Sequence, residues 1–270
     1  MSMTFSSFKQ YYWVNIYPVI TLNSSQRLKR SVKLFLQKTL GFKTYLYMFS
    51  LITINRLKYE EEFHFFNEMI DDGGIVLDIG ANIGTMTTLI AKKLRNSKIY
   101  AFEPIPDNIK TLKRVIDHYK LKNVIVYEAA LGEENGELKM VMPIIDNVKM
   151  QGLSHVLKEN SSEENHSGNV YSVPVYKLDD LEEFKSGKKI TAIKIDVENF
   201  EYEVLKGGEQ LLRKHKPIIY CELWNNEKKY NTINFLNNLG YKAKIYENKK
   251  LIDFKDQTAI NFFFVPENAG

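Results

Sequence analysis

The chain holds a single cysteine, Cys221, among 270 residues. One thiol builds neither a disulfide framework nor a cysteine-based zinc site, and no metal is expected. Its scarcity suits a reducing cytoplasm. No apolar run reaches the roughly 20 residues that a membrane-spanning helix needs. The nearest, Phe42 to Ile54, is interrupted by Lys43, Thr44, Ser50 and Thr53. The amino terminus lacks the basic region, apolar core and small-residue cleavage site of a secretory signal. Internal repeats are absent. Acids are missing from residues 1–58, which hold nine Lys/Arg, so the net charge of +4 hides a remainder with 28 basic and 33 acidic residues, net −5. The expected location is cytoplasmic, or peripheral at the inner face of a membrane. With 44% hydrophobic and 26% charged residues, the composition is that of an ordinary globular protein.

Two phosphate-binding signatures are also missing. Counted from Gly80, Gly-x-Gly-x-x-Gly would need glycine at Asn82 and Thr85, so a dinucleotide cradle is excluded. No Gly-x-x-x-x-Gly-Lys-Ser/Thr occurs either. What stands there is Val-Leu-Asp-Ile-Gly-Ala-Asn-Ile-Gly at 76–84. An apolar run ends in an acid and two glycines four apart, and a helical pattern follows from Thr85. This reads as a buried strand turning sharply beneath a ligand, with Gly80 and Gly84 removing side chains from its path and a helix aiming free N–H groups at it. Nineteen residues past Gly84, the strand Lys98–Phe102 ends in Glu103. An acid at that tip accepts both hydroxyls of a ribose.

The alternation continues along the chain. Strands are predicted at Ile75–Asp78, Lys98–Phe102, Val124–Tyr127, Ala192–Val197, Pro217–Glu222, Tyr241–Tyr246 and Asn261–Val265, with helices between the first three, between the fourth and fifth, and before the last pair. Alternating strands and helices imply a doubly wound, mostly parallel sheet of seven strands. Glu137–Met142 and Val170–Val175 read as an inserted hairpin. The polar stretch 143–169 between them is long enough to be functional or unstructured, and it carries His155 and His166 as candidate proton acceptors. The first 58 residues form a basic helical extension, with 59–270 as the main domain. Leu28, Val32, Phe35 and Leu36 share a helical face beside Lys29, Arg30 and Lys33, so 26–40 suits either packing on the main domain or an anionic membrane surface.

A second constellation lies at 190–201, Ile-Thr-Ala-Ile-Lys-Ile-Asp-Val-Glu-Asn-Phe-Glu. Side chains alternate along a strand, so Lys194, Asp196 and Glu198 should share one face. Three charges on a central strand need mutual pairing or a ligand, because unpaired burial is costly. A carboxylate or a lysine of lowered pKa there could take a proton from an alcohol nucleophile. Glu222, at the end of the next strand, is a further candidate for the same edge.

An Asp-x-Gly-x-x-x-Gly turn followed by an acid is similar to the S-adenosylmethionine site of class I methyltransferases. Six blocks sharpen the likeness: 76–84, Phe-Glu-Pro (102–104), Glu-Ala-Ala-Leu-Gly (128–132), Lys-Leu-Asp-Asp (177–180), Lys-Ile-Asp-Val-Glu (194–198) and Glu-Val-Leu-Lys-Gly (203–207). From about residue 60 onward the chain resembles the FkbM family of S-adenosylmethionine-dependent methyltransferases. The resemblance implies a class I, Rossmann-like fold with an N-terminal helical extension. It implies cofactor contacts from Asp78, Gly80, Ala81, Asn82, Gly84, Glu103, Pro104, Ala129 and Asp196, catalysis by Lys194, Asp196 and Glu198, and O-methylation of a sugar, glycan or small-molecule hydroxyl. The family's usual glycine after Asp-Val-Glu is Asn199 here, which either alters the turn or adopts a left-handed conformation. Two other functions compete: RNA ribose methylation with the basic segment as a docking arm, and a non-catalytic cofactor-binding scaffold. Methylation of bases is disfavoured, since no Asn/Asp-Pro-Pro-Tyr follows the fourth strand and Tyr220, not proline, precedes Cys221.

Overall fold

The computed structural model describes residues 24–55, 61–157, 168–185 and 187–267. Residues 161–165 and His166, from the polar stretch, lie outside them. Two helices come first, α1 (Ser24–Leu40) and α2 (Phe42–Asn55), then α3 (Glu61–Glu68). The main sheet has strands β1 (Ile75–Ile79), β2 (Lys98–Phe102), β3 (Val124–Tyr127), β9 (Ile190–Ile195), β10 (Ile218–Glu222), β11 (Tyr241–Glu247), β12 (Lys250–Asp253) and β13 (Asn261–Pro266). Their spatial order is β12-β11-β13-β10-β9-β1-β2-β3. The five strands from β3 to β10 run parallel, and β13, β11 and β12 are antiparallel. Helices α4 (Thr85–Lys93), α5 (Pro106–Tyr119), α7 (Glu201–Lys206), α8 (Glu209–His215) and α9 (Glu227–Asn238) occupy the crossovers, and a single helical turn, α6 (Glu182–Lys185), precedes β9. Sheet and crossovers together form the class I methyltransferase fold.

The sheet has eight strands where seven were expected. The extra strand, β12, pairs with β11 across Asn248 and Lys249, whose φ values of 51° and 63° fit a two-residue hairpin turn. Its charged sequence hid it.

Every residue of β1 is buried, which fits a strand covered on both faces. Leu77 and Ile79 join Phe102, Ile193 and Ile195 in one core layer. Val76 faces the other way, with Ile99, Ala192 and Tyr220, against Phe63 and Phe66 of α3. Phe66 stacks on Tyr220 with centroids 5.2 Å apart. Asp78 lies on that second face, in register with Lys194 of β9.

Among the described residues the inserted segment builds a second sheet around the expected hairpin. Its strands are β4 (Ala130–Gly132), β5 (Gly136–Ile145), β6 (Val148–Lys149), β7 (His155–Val156) and β8 (Gly168–Lys177). A 3-10 turn at Gln151–Leu153 joins β6 to β7. The long hairpin of β5 and β8 carries this sheet, with Met140 opposite Tyr171.

Helix α2 packs on the domain. Leu46 is buried, and Ser50 Oγ donates to the carbonyl of Ile83 at 3.0 Å. That contact braces the glycine turn from outside. Among the described residues, no helix is long and apolar enough to cross a membrane.

Candidate active site

The glycine turn after β1 is held by backbone bonds. The amides of Gly80 and Ala81 donate to the carbonyl of Phe102, at 3.0 and 2.9 Å. Gly80 and Gly84 have φ of 77° and 81°, in the left-handed region that favours glycine. Their reason differs from the expected one. A β-carbon at Gly80 would collide with the Asp196 carbonyl, and one at Gly84 would lie 2.6 Å from Leu112 Cδ1. The glycines admit neighbouring protein, and Gly80 also lines the cleft.

Beneath the turn sits a buried ion pair. Lys194 Nζ lies 3.1 Å from Asp78 Oδ1, an ion pair without hydrogen-bond alignment. It also donates to the carbonyl of Gly80 at 2.8 Å and approaches that of Ile79 at 3.4 Å. Thr87 Oγ1 donates to Asp78 Oδ2 at 2.6 Å. With the carboxylate beside it and two carbonyls accepting from it, Lys194 clamps the turn from below. The expected sharing of one face by Lys194, Asp196 and Glu198 does not form, because β9 ends at Ile195 and the next residues leave the sheet.

The ends of β1 and β2, the turn after β9 and the second sheet surround a cleft. Of the expected cofactor residues, Gly80, Asn82, Glu103, Pro104, Ala129 and Asp196 line it, whereas Asp78, Ala81 and Gly84 do not. Of the expected catalytic residues, Asp196 and Glu198 line it and Lys194 does not. Glu222 is buried and lies outside the lining. His155 is buried on β7, its Nδ1 2.9 Å from the carbonyl of Leu153. Ser154 and Val156 on either side line the cleft, so His155 faces the opposite way and does not serve as a cleft base.

Glu103 accepts three hydrogen bonds: from the amides of Asn82 (2.8 Å) and Ile105 (3.0 Å), and from Asn108 Nδ2 (3.1 Å). A carboxylate offers about four acceptor sites, so one is left for a ligand rather than the pair expected. Burial pushes its pKa up to about 6, against the opposing pull of those bonds and of Lys194. Further acceptors stand nearby. Asn82 Oδ1, Asn108 Oδ1 and Gln151 Oε1 are buried without a hydrogen-bond partner, and all three residues line the cleft. Such atoms are costly unless a ligand donates to them. No side chain caps α4, whose N-cap is Gly84, leaving amides suited to an anionic group. Asn108 and Gln151 escaped the sequence reading. Gln151 reaches the cleft only because the second sheet folds its 3-10 turn over the glycine turn.

The Asp196–Asn199 turn is held from below by Glu201, whose Oε1 accepts from the amides of Val197 and Asn199, both at 3.2 Å. Burial, then the charges of Asp196 and Glu198, push the Glu201 pKa up to about 8. At neutral pH it is mostly protonated, which limits the negative charge of this corner. Glu198 and Asn199 have φ of 55° and 70°. Asn199 thus takes the left-handed conformation, and Asn226 Nδ2 donates to its Oδ1 at 2.8 Å. Two consecutive left-handed residues without glycine store strain that aims this turn at the cleft.

A parallel core, an acid at the tip of β2 and unpartnered acceptors around it define a nucleoside-cofactor site of the class I methyltransferase type. The chain belongs to the FkbM methyltransferase family: the Methyltransferase FkbM domain matches residues 78–243. This is a family of S-adenosylmethionine-dependent enzymes. Methyltransferase 1 of Beauveria bassiana is 29% identical over 148 residues, covering 50% of this chain and 59% of that protein. Hexuronic acid methyltransferase AglP of Haloferax volcanii is 29% identical over 153 residues, covering 56% and 57%. The chain therefore spans less than two thirds of the length of these curated relatives. The FkbM methyltransferase from Methylobacillus flagellatus superimposes with a TM-score of 0.47 at 17% identity, over 72% of this chain and 44% of that one.

Proposed function

We propose that the protein transfers a methyl group from S-adenosylmethionine to a hydroxyl of a sugar or glycan. The cofactor would supply an electrophilic methyl on a sulfonium. Glu103, Asn82 and Asn108 would accept hydrogen bonds from its ribose end. Gln151 closes the cleft from the second sheet. Asp196 would hold the acceptor hydroxyl and take its proton, with Glu198 beside it. The remaining rate comes from alignment of the two reactants.

One observation carries the reading: Asp196 and Glu198 line the same cleft as Glu103, on a turn whose left-handed residues are fixed by Glu201. A sugar acceptor is supported by the relative that bears the name of a hexuronic acid methyltransferase.

The test is incorporation of labelled methyl into polysaccharide, lipid and RNA fractions by purified protein. Label in polysaccharide, stable to mild alkali, is the expected result. Label in RNA ribose would replace the sugar reading, and cofactor binding without label in any fraction would favour the scaffold.

A further inference from the structure

Helix α1 is mounted with its apolar face outward. Leu28, Val32 and Phe35 are spaced by four and three residues, so they share one stripe. They are 66%, 49% and 64% exposed. Leu36 packs against the cluster of Tyr45, Leu46 and Ile83, and the other contacts that α1 makes with the body are polar. Gln37 exchanges two hydrogen bonds of 3.0 Å with the backbone of Lys149. Arg30 pairs with Asp146. Lys33 Nζ lies 3.7 Å from Met150 Sδ, and its burial, followed by the charge of Arg30, lowers its pKa to about 8. A helix that only packed on its own domain would bury this apolar stripe. Helix α2 adds Met48, Phe49 and Ile52 to the exposed apolar surface.

We propose that this face of α1, together with the exposed residues of α2, docks on an anionic lipid bilayer. The charge fits that occupant. Residues 1–58 carry nine Lys/Arg and no acid, while Arg27, Lys29, Lys38 and Lys43 are exposed on these two helices. Apolar side chains enter the boundary of the acyl layer while flanking bases meet anionic headgroups, which is how amphipathic helices lie in the membrane plane. The helix does not cross, since none of the described helices is apolar and long enough. Leu28, Val32 and Phe35 do not line the cleft, and the proposal does not rest on methyl transfer.

The experiment uses full-length protein with vesicles of phosphatidylcholine alone or with about one-third phosphatidylglycerol. The expected result is co-sedimentation with the anionic vesicles, little with the neutral ones, and release by about 0.5 M salt, where screening shortens charge attraction to a few ångströms. Val32→Glu/Phe35→Glu should weaken partition by about tenfold or more, as should Lys29→Glu/Lys38→Glu. Both variants change exposed positions, so thermal unfolding midpoints near wild type verify their fold. Equal binding to both vesicle types, or to neither, overturns the proposal. So does a wild-type dimer that Val32→Glu/Phe35→Glu converts to monomer without lipid, which would assign the stripe to a second copy.

Discussion

Lys194→Met should cost about 3–5 kcal/mol of folding stability, because it leaves the Asp78 carboxylate buried beside a single hydroxyl. Asp78 is fully buried and Lys194 is 2% exposed, so neither charge reaches water when its partner is lost. The ammonium also ties the carbonyl of Gly80 to β9, and the glycine turn should loosen with it. Urea unfolding of wild type, Lys194→Met and Asp78→Asn/Lys194→Met measures this. The double variant should recover at least half of the loss, since removing both charges removes the uncompensated one. If Lys194→Met keeps stability within about 1 kcal/mol yet loses turnover, the lysine acts in the chemistry instead, as its sequence context first suggested.

Asp196→Asn should lower methyl transfer by about 10²–10⁴, the usual cost of removing a general base, while binding of S-adenosylhomocysteine stays within a few-fold. The amide nearly matches the carboxylate in shape, and the amide N–H of residue 196 keeps its bond to the carbonyl of Ile79 at 3.1 Å. Single-turnover rates with saturating cofactor, alongside calorimetry, separate the two effects. Normal turnover in Asp196→Asn would shift the proton acceptor to Glu198, the neighbouring carboxylate in the cleft lining.

The parallel core was readable because its signals are local: apolar strands, a left-handed glycine turn and an acid at the next strand tip each depend on a few adjacent residues. Three of the motif blocks that first suggested the family also serve packing. A β-carbon at Gly207 would collide with the carbonyl of Gly132, so the 128–132 and 203–207 blocks meet backbone to backbone. Asp179 caps α8 by accepting from the amides of Gln210 and Leu211, at 3.0 and 2.9 Å. What the sequence hid is non-local. Lys194 turned toward Asp78, 116 positions earlier in the chain, because β1 and β9 pair in that register. Gln151 enters the cleft through a sheet whose polar strands carry no clear period, and the reversed mounting of α1 follows from contacts to Asp146, Lys149 and Met150 that no helical wheel reveals.

The central claim is a cofactor cleft organised by Glu103, and calorimetric titration of S-adenosylhomocysteine into the purified protein tests it most directly. Binding is expected at pH 7.5, with no heat from NAD, and Glu103→Ala should weaken it by about 1.5–3 kcal/mol. The wild-type affinity should also fall as pH drops below about 6. Burial raises the Glu103 pKa, so the proton arrives early on acidification and removes the acceptor that a ribose hydroxyl needs, at up to about tenfold per pH unit. Heat with NAD and none with S-adenosylhomocysteine, or an affinity unchanged both in Glu103→Ala and at pH 5, would contradict the account.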